Sequence, residues 1–495
     1  MLRAALSSAT SSVPRLSRGL HEAVIVSVAR TPVGSFGGAL AALSAPQLGA
    51  AAVRGALARL PREARVGEVL LGNVVSAGAG QAPARQAARG AAAAALAADP
   101  AAAQQLGDDA VCTTVNKVCA SGMKAVALAA QSVALGQHDT VVAGGMESMS
   151  NVPFLLPAQS RFGGLRFGHS KVVDALVHDG LWDVSASARA RARAAQTALA
   201  RTLAHKRSRT QYAKRARGTL SCVCAPLTRL AARFPSFARL RQPYNDVNMG
   251  NCSEQTARDL GISRADQDAY AAESYRRAAR AAAPGGAFSA EIVAVSAPGA
   301  RGGKGGATPV SADEEVGKVD FAKIPTLKPA FPLPGDAKGA GSVTPANSSK
   351  LSDGAAALVV MSRERAQALG LRPLARIVAA ADAELAPLSY PVAPAAAVRR
   401  ALKHAGMELR DVDAHEVNEA FAVVALANAR LLSIDLARLN VHGGAISLGH
   451  PLGASGARIL ISLLSVLRAQ DLRVGCASVC NGGGGASAMI LERLD

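Results

Sequence analysis

The sequence is poor in aromatic residues, which make up 3% of its 495 positions and include a single tryptophan. Its cores must therefore be built from small and branched apolar residues, chiefly alanine, valine and leucine. The seven cysteines follow no regular spacing, which excludes a disulfide framework, and Cys222 and Cys224 lack the second pair that a zinc site needs. No apolar run reaches the roughly 18 residues of a membrane helix, so we expect no membrane partner.

Acidic residues are missing from two segments that carry most of the net charge of +19. Residues 184–242 contain twelve arginines and two lysines, and residues 1–21 contain three arginines. The rest of the chain is close to neutral, so the basicity does not belong to the fold. We therefore expect no nucleic-acid partner, since a binding protein of that kind spreads basic residues over a folded surface.

The basic segment 184–242 has an alanine- and arginine-rich composition that does not favour a packed core. Val184-Ser185 can be encoded by a splice-donor sequence and Gln242 by an acceptor, so we hypothesise a retained in-frame intron. The rival is a genuine insert that binds RNA or a membrane surface. Sequencing the transcript across this junction separates the two.

The first 21 residues are rich in arginine and serine and contain no acid. This composition is typical of an organelle transit peptide, so we predict a mitochondrial protein, with a plastid or cytoplasmic location as the alternatives. The alternative interpretation of these 21 residues is a disordered N-terminal tail.

The segment V-N-K-V-C-A-S-G-M places Cys119 between a predicted buried strand, residues 110–115, and a predicted helix, residues 121–135. A thiol just before a helix N-terminus meets unpaired N–H groups and the positive end of the helix dipole. We therefore expect the pKa of Cys119 to fall below the usual value of about 8.5, which makes it a candidate nucleophile. The alternative is a small buried core residue.

Predicted strands and helices alternate along the chain, which indicates an α/β layered fold. The alternation stops between about residues 150 and 341, where we expect an inserted loop subdomain. A-S-G opens a predicted helix twice, after Cys119 and again in G-H-P-L-G-A-S-G-A-R, and each helix leads to a strand and a run of glycines. We predict two similar α/β/α-layered halves, residues 22–372 and 373–495.

Three late motifs accompany the Cys119 segment: N-E-A-F from Asn418, G-H-P around His450 and C-N-G-G-G-G from Cys480. With V-C-A-S-G and an early R-T-P-V-G-S-F-G-G, in this order and spacing, they resemble the thiolase family over nearly the whole chain. The acetyl-CoA acetyltransferase branch of the mitochondrial type is most similar. The resemblance implies a thiolase-like fold, a homotetramer and the joining of two acetyl-CoA molecules into acetoacetyl-CoA, or the reverse thiolysis.

The resemblance also implies the role of each motif residue. Cys119 is the nucleophile that carries the acetyl group, and His450 is the base that takes its proton. Cys480 is the acid/base that removes a proton from the second acetyl-CoA. Two oxyanion holes are implied, one from His450 with a water held by Asn418, the other from the N–H groups of Cys119 and Gly482.

For the substrate, T-P-A-N-S-S-K-L-S-D-G resembles the family's T-A-A-N-A-S-T-L-N-D-G, which makes Ser349 a CoA contact. The resemblance implies no covalently bound cofactor, with CoA as substrate and potassium as a further ligand. Pro345 and Ser348 depart from the usual alanines there, and Asn248 replaces a frequent histidine. The implied CoA contacts are Tyr244, Lys318, Val319, Asp320, Lys323 and Ser349, and the implied potassium ligands are Tyr244, Pro345, Ala346, Ser348 and Ile446. A 3-ketoacyl-CoA thiolase of broader chain length and a non-catalytic nucleic-acid-binding protein are the alternative functions.

Overall fold

The computed structural model describes residues 20–98, 102–164, 167, 169–182, 248–298, 307–333, 335–337 and 339–495. Most of the predicted transit peptide and all of the basic segment 184–242 lie outside these ranges, as does Tyr244. The main strands are β1 (Ala23–Arg30), β2 (Gly34–Ser35), β3 (Glu68–Gly72), β4 (Val111–Val115), β5 (Thr140–Ser148), β6 (Phe154–Leu155), β7 (Val173–Asp174), β8 (Val295–Ala297), β9 (Thr308–Val310), β10 (Ser352–Ser362), β11 (Ala375–Glu384), β12 (Ala414–Val417), β13 (Val474–Asn481) and β14 (Gly485–Arg493).

The α-helices follow the apolar periodicity of the sequence and several begin at a capping residue, as Ser263 does by accepting from the Asp266 N–H. They are α1 (Ala45–Leu57), α2 (Pro83–Ala98), α3 (Ser121–Ala134), α4 (Gln159–Gly163), α5 (Met249–Asp259), α6 (Arg264–Ala282), α7 (Arg363–Ala368), α8 (Ala393–Ala405), α9 (Ala422–Leu432), α10 (Ala445–Leu448) and α11 (Leu452–Ala469).

One ten-stranded sheet runs through the described residues in the order β12-β13-β14-β11-β1-β10-β5-β3-β4, with β2 paired to β10. In the first half β4, β3 and β5 run parallel to one another, and the pairs β5–β10 and β10–β1 are antiparallel. In the second half β12 and β13 are parallel, and the pairs β13–β14 and β14–β11 are antiparallel. The two sets meet at a short seam, where β1 pairs β11 at Val24 with Arg376 and Ile25 with Ala375. The α/β architecture with two similar halves is confirmed.

The repeated A-S-G motif has a packing role at the centre of the molecule. Helices α3 and α11, whose first turns contain these motifs, pack against each other. A methyl group added at Gly122 would lie 2.8 Å from the Gly453 carbonyl oxygen, so only glycine allows the backbones this close. The same contact brings the N-terminal ends of the two helices together, and these ends carry Cys119 and His450.

Two sequence expectations are wrong in the structure. Strand β4 was predicted as buried, but it lies at the edge of the sheet, and Val111 is 51% exposed. The search for long apolar runs missed helix α11, which has the length and composition of a membrane span; 83% of its residues are buried in this protein. Helix α11 is the central core helix, because neighbouring helices and strands surround it.

The described chain stops at Trp182 and resumes at Asn248, and these two residues form an antiparallel β-bridge. The described residues on either side of the basic segment are therefore adjacent. The described residues between β5 and β10 correspond to the predicted loop subdomain, and its helices α5 and α6 pack against α9.

Candidate active site

Cys119 lies in the turn between β4 and α3, as the sequence predicts, and is 3% exposed. The turn is held by the Ser121 hydroxyl, which donates to the Val118 carbonyl and accepts from the Lys117 N–H at 2.8 Å. Val118 has a φ of 48°, a left-handed conformation that is strained for a β-branched residue. Strain of this kind is typical of a residue that the surrounding structure holds in place for a function.

Burial raises the pKa of Cys119 to about 12, against the sequence expectation of a lowered value. The backbone N–H groups of Gly482 and of Cys119 itself lower it, and the nearby Glu147 carboxylate raises it. The helix terminus acts in the predicted direction, but removal from water outweighs it. Cys119 is therefore a thiol in the free protein and needs a base before it can attack.

His450 is the buried imidazole at this site, with 5% exposure. Burial lowers its pKa to about 3, and the Arg458 charge acts in the same direction. The ring is therefore neutral at physiological pH and can accept a proton. Its Nδ1 lies 2.6 Å from the Ser455 hydroxyl, whose proton can go to the Pro451 carbonyl at 2.9 Å. That arrangement leaves the proton on Nδ1 and makes Nε2 the basic atom.

Asn418 lies beside the basic atom of His450, with its Nδ2 3.5 Å from Nε2. Its Oδ1 is buried and has no protein partner among the described residues. An orphaned buried amide oxygen fits the water that the family resemblance assigns to it, because buried polar atoms rarely stay unpaired. The next residue, Glu419, accepts from Tyr270 at 2.9 Å and from Ser274 at 2.8 Å, which fixes this loop.

Cys480 occupies the end of β13, and Gly482 follows in the turn to β14. Burial raises the pKa of Cys480 well above its usual value, and the Cys119 thiol acts in the same direction. Cys119 is thus close enough for its charge to act on Cys480. Gly482 lies next to Val118, since an added methyl group would be 3.7 Å from the Val118 side chain.

A cavity of about 370 Å³ is lined by Cys119 and His450 together. Phe331 and Phe421 form part of its wall and meet edge to face with centroids 6.1 Å apart. Ser349 also lines it, and its contact with CoA stays a prediction. The loop subdomain contributes Gly180, Leu181, Asn248, Met249 and Phe331.

The predicted nucleotide-end contacts do not line this cavity. The Lys318 ammonium donates to the Glu314 and Glu315 carboxylates, at 2.8 and 3.4 Å, so much of its charge is neutralised. Val319 packs against a core cluster, and Asp320 pairs with Lys323 at 3.1 Å. Lys323 is 75% exposed and remains accessible to a phosphate. These four CoA contacts stay a prediction.

Two of the five predicted potassium ligands contact a cation that the chain itself supplies. The Lys350 ammonium donates to the carbonyl oxygens of Pro345 and Ser348, the latter at 3.2 Å. With Lys350 in place, these two oxygens do not fit a potassium ion. Ala346 is half-buried, and Ile446 lies in helix α10, where its N–H donates to Glu419 at 3.1 Å.

Sequence reasoning missed two side chains that contact the predicted machinery, Ser455 and Lys350. Ser455 stands in the second A-S-G motif, five residues after His450, and lies in the first turn of α11, the helix that begins just after the imidazole. The position of Ser455 in the repeated A-S-G motif was therefore a sequence signal for its place near His450. Lys350 stands where the family segment has threonine, and this difference was also readable.

We expect Ser455→Ala to lower kcat about 10- to 100-fold with little change in KM for acetyl-CoA, because the imidazole loses the partner that fixes its tautomer. Steady-state kinetics measure both constants. Ser462→Ala is the matched control, since it removes a buried hydroxyl from the same helix. Equal losses in both variants would assign Ser455 a purely structural role.

Cys119 and a neutral imidazole line one cavity, and backbone N–H donors lie at the Cys119 sulfur. Cys480 does not line this cavity, although the Cys119 thiol contributes to its raised pKa. This arrangement is that of a cysteine-based acyltransferase site. Family models agree: the model described as "Thiolase, N-terminal domain" matches residues 23–217 and 235–364, and "Thiolase, C-terminal domain" matches residues 371–493. The chain belongs to the thiolase family, which confirms the resemblance read from its motifs.

Individual relatives are similar over nearly their whole length. The chain is 46% identical to "Acetyl-CoA acetyltransferase 2" of Arabidopsis thaliana, covering 96% of this chain and 98% of that one. It is 44% identical to "Acetyl-CoA acetyltransferase, mitochondrial" of Mus musculus, over 96% and 92%. The Acat5 thiolase from Ascaris suum, solved in complex with coenzyme A, is 36% identical with a TM-score of 0.73, over 96% of this chain and 100% of that chain.

Proposed function

We propose that this chain catalyses the condensation of two acetyl-CoA molecules into acetoacetyl-CoA and CoA, and the reverse thiolysis, through an acetylated Cys119. The observation that carries the proposal is the convergence of groups from both halves: Cys119 and His450 share a cavity, and the Cys119 thiol contributes to the raised pKa of Cys480. The printed names of the relatives favour the same reaction.

In the first half-reaction, Nε2 of His450 takes the Cys119 proton and the sulfur attacks the thioester carbon. The N–H groups of Cys119 and Gly482, which already lie at the sulfur, stabilise the oxyanion. The C–S bond to CoA breaks, and the departing thiolate takes a proton from Cys480. Cys119 now carries the acetyl group, and Cys480 is a thiolate.

In the second half-reaction, the Cys480 thiolate removes a proton from the methyl carbon of a second acetyl-CoA. The enolate oxygen is stabilised by protonated His450 and by the water that Asn418 holds. The enolate carbon attacks the acetyl carbon on Cys119, and the bond to Cys119 breaks. The Cys119 sulfur regains its proton from His450, which restores the starting state.

The length of the acyl chain that the enzyme accepts distinguishes this reaction from that of a broader 3-ketoacyl-CoA thiolase. The cavity is near the small end of ligand pockets, and Phe331, Phe421 and Met249 narrow it. We expect the kcat/KM for thiolysis of acetoacetyl-CoA to be at least tenfold above that for a 3-ketoacyl-CoA of eight or more carbons. This ratio corresponds to a difference of about 1.4 kcal/mol in transition-state stabilisation. Faster cleavage of the longer chain would favour the broader enzyme.

We also propose a homo-oligomer, of the tetrameric type that the resemblance implies. Strand β4 leaves one sheet edge unpaired within the described residues, and Val111 on it is half-exposed. The hairpin of β6 and β7 exposes Phe154, which is 68% accessible. Exposed apolar side chains on an open edge favour pairing with a second copy. Native mass measurement tests the state.

A mitochondrial location remains our proposal, supported by the arginine-rich, acid-free first 21 residues and by the mitochondrial names of the animal relatives. Mass spectrometry of the native protein from a mitochondrial fraction tests it, because a cleaved transit peptide shifts the first observed residue. An intact N-terminus in a cytosolic fraction contradicts it.

A further inference from the structure

The loop before β10 is built to present carbonyl oxygens to a cation. Asn347 is fully buried; its Oδ1 accepts from the Thr344 N–H at 2.8 Å, and its Nδ2 donates to Asp268 at 2.9 Å. Glu254 accepts from the N–H groups of Ser342 and Val343, at 2.7 and 2.9 Å. These anchors set the course of the loop, in which the carbonyl groups of Pro345 and Ser348 converge on one cation.

The cation on this loop is Lys350, whose ammonium donates to Pro345 and Ser348 carbonyl oxygens. In the described part of the chain no carboxylate forms an ion pair with it. Burial lowers the pKa of Lys350 to about 8, and the charge of Glu315 raises it, so the ammonium is mostly protonated at neutral pH. The Lys350 main chain also supports the catalytic base, because the His450 N–H donates to the Lys350 carbonyl at 2.9 Å. The side chain lines the same cavity as Cys119 and His450.

We propose that Lys350 is a built-in monovalent cation that replaces potassium at this site and makes the enzyme independent of potassium. The family segment has threonine at this position, and a threonine cannot reach these oxygens with a positive charge. Lys350 places a positive charge there on a side chain of the protein itself, so no ion from solution is needed. The inference deepens the proposed function.

The Lys350 ammonium affects the reaction by fixing the positions of residues around the substrate cavity. Pro345, Ser348 and Ser349 form one wall of the cavity, and a cation that bridges the first two carbonyls fixes that wall. The Lys350 carbonyl, which accepts from the His450 N–H, belongs to the same loop. Losing the cation would therefore disturb both the substrate wall and the support of His450, while a potassium ion could restore both in a smaller variant.

The test compares the wild type with Lys350→Thr and Lys350→Met in potassium, sodium and tetramethylammonium chloride at equal ionic strength. We expect wild-type activity and melting temperature to be the same in potassium and sodium within twofold and within about one degree. Lys350→Thr is expected to lose activity at least fivefold in sodium and to regain it in potassium. Its melting temperature is expected to rise with potassium concentration, as for any ligand that binds only the folded state.

Lys350→Met distinguishes the effect of the positive charge from that of the side-chain volume, because its unbranched stem fills the volume that a potassium ion would take. We expect it to be impaired and not rescued. Lys403→Thr, the same change at an exposed position of α8, is the matched control and is expected to show no potassium response.

Potassium activation of the wild type would overturn the proposal, and so would a Lys350→Thr variant that responds equally to potassium and sodium. The melting measurements do not depend on the reaction. If the proposed function were wrong, no variant would show thiolase activity in any salt, yet the potassium response of the melting temperature would still decide the role of Lys350.

Discussion

Cys119→Ala is expected to abolish acetylation of the protein and to lower the condensation rate on the order of 10⁴-fold or more, because the nucleophile that carries the acyl group is gone. Intact-mass spectrometry after exposure to acetyl-CoA measures the first effect, since the wild type gains one acetyl group. The variant should keep its fold, because alanine replaces a small buried side chain whose pKa, raised by burial, keeps it uncharged.

Cys112→Ala is the control for this experiment, since Cys112 is a free, half-buried thiol on the preceding strand and lies outside the cavity. It should become acetylated as the wild type does. Stoichiometric acetylation of Cys119→Ala at another residue would mean that a different nucleophile carries the acyl group.

Cys480→Ala is expected to separate the two half-reactions. Acetylation of Cys119 should persist, because the nucleophile, His450 and the backbone donors are unchanged, although it should slow as CoA loses its proton donor. Condensation should fall by about 10²- to 10⁴-fold, since no base removes the proton from the second acetyl-CoA. Rapid-quench measurement of the acetyl-enzyme and steady-state measurement of acetoacetyl-CoA resolve the two steps.

Cys476→Ala is its matched control, because Cys476 lies on the same strand and is 1% exposed like Cys480. Burial alone raises the pKa of Cys476, whereas the Cys119 thiol also contributes to the raised pKa of Cys480. Cys476→Ala should keep both half-reactions. A Cys480→Ala variant that loses acetylation and condensation to the same extent would contradict the division of roles.

Much of the fold could be predicted from the sequence because local pattern and tertiary packing agree. The predicted helix over residues 121–135 corresponds to α3, Ser121–Ala134, and the last helix, predicted near residues 455–467, is the core of α11. The A-S-G repeat also predicted the common centre, since both glycines occur where helices approach closely. These signals are local, and a single sequence contains them.

The predictions that failed depend on neighbours distant in sequence. The pKa of Cys119 rises because other elements bury it, and no spacing around the residue reveals how deeply. Strand β4 has the composition of a buried strand, yet it lies at the sheet edge because of the strand order. The Lys350 contacts depend on a loop that Asp268 and Glu254 anchor from other elements.

Among the described residues, the strands of the two halves pair only at the short seam between β1 and β11, and α11 packs across both halves. The reacting groups are divided between the halves. Cys119 comes from one side, and His450 and Cys480 from the other. A slight parting of the halves would thus separate nucleophile from base while every strand kept its own hydrogen bonds, and an ångström of misplacement is enough to cost about 10²-fold in rate. On gentle heating or in dilute urea, turnover should therefore vanish before the far-ultraviolet circular dichroism changes.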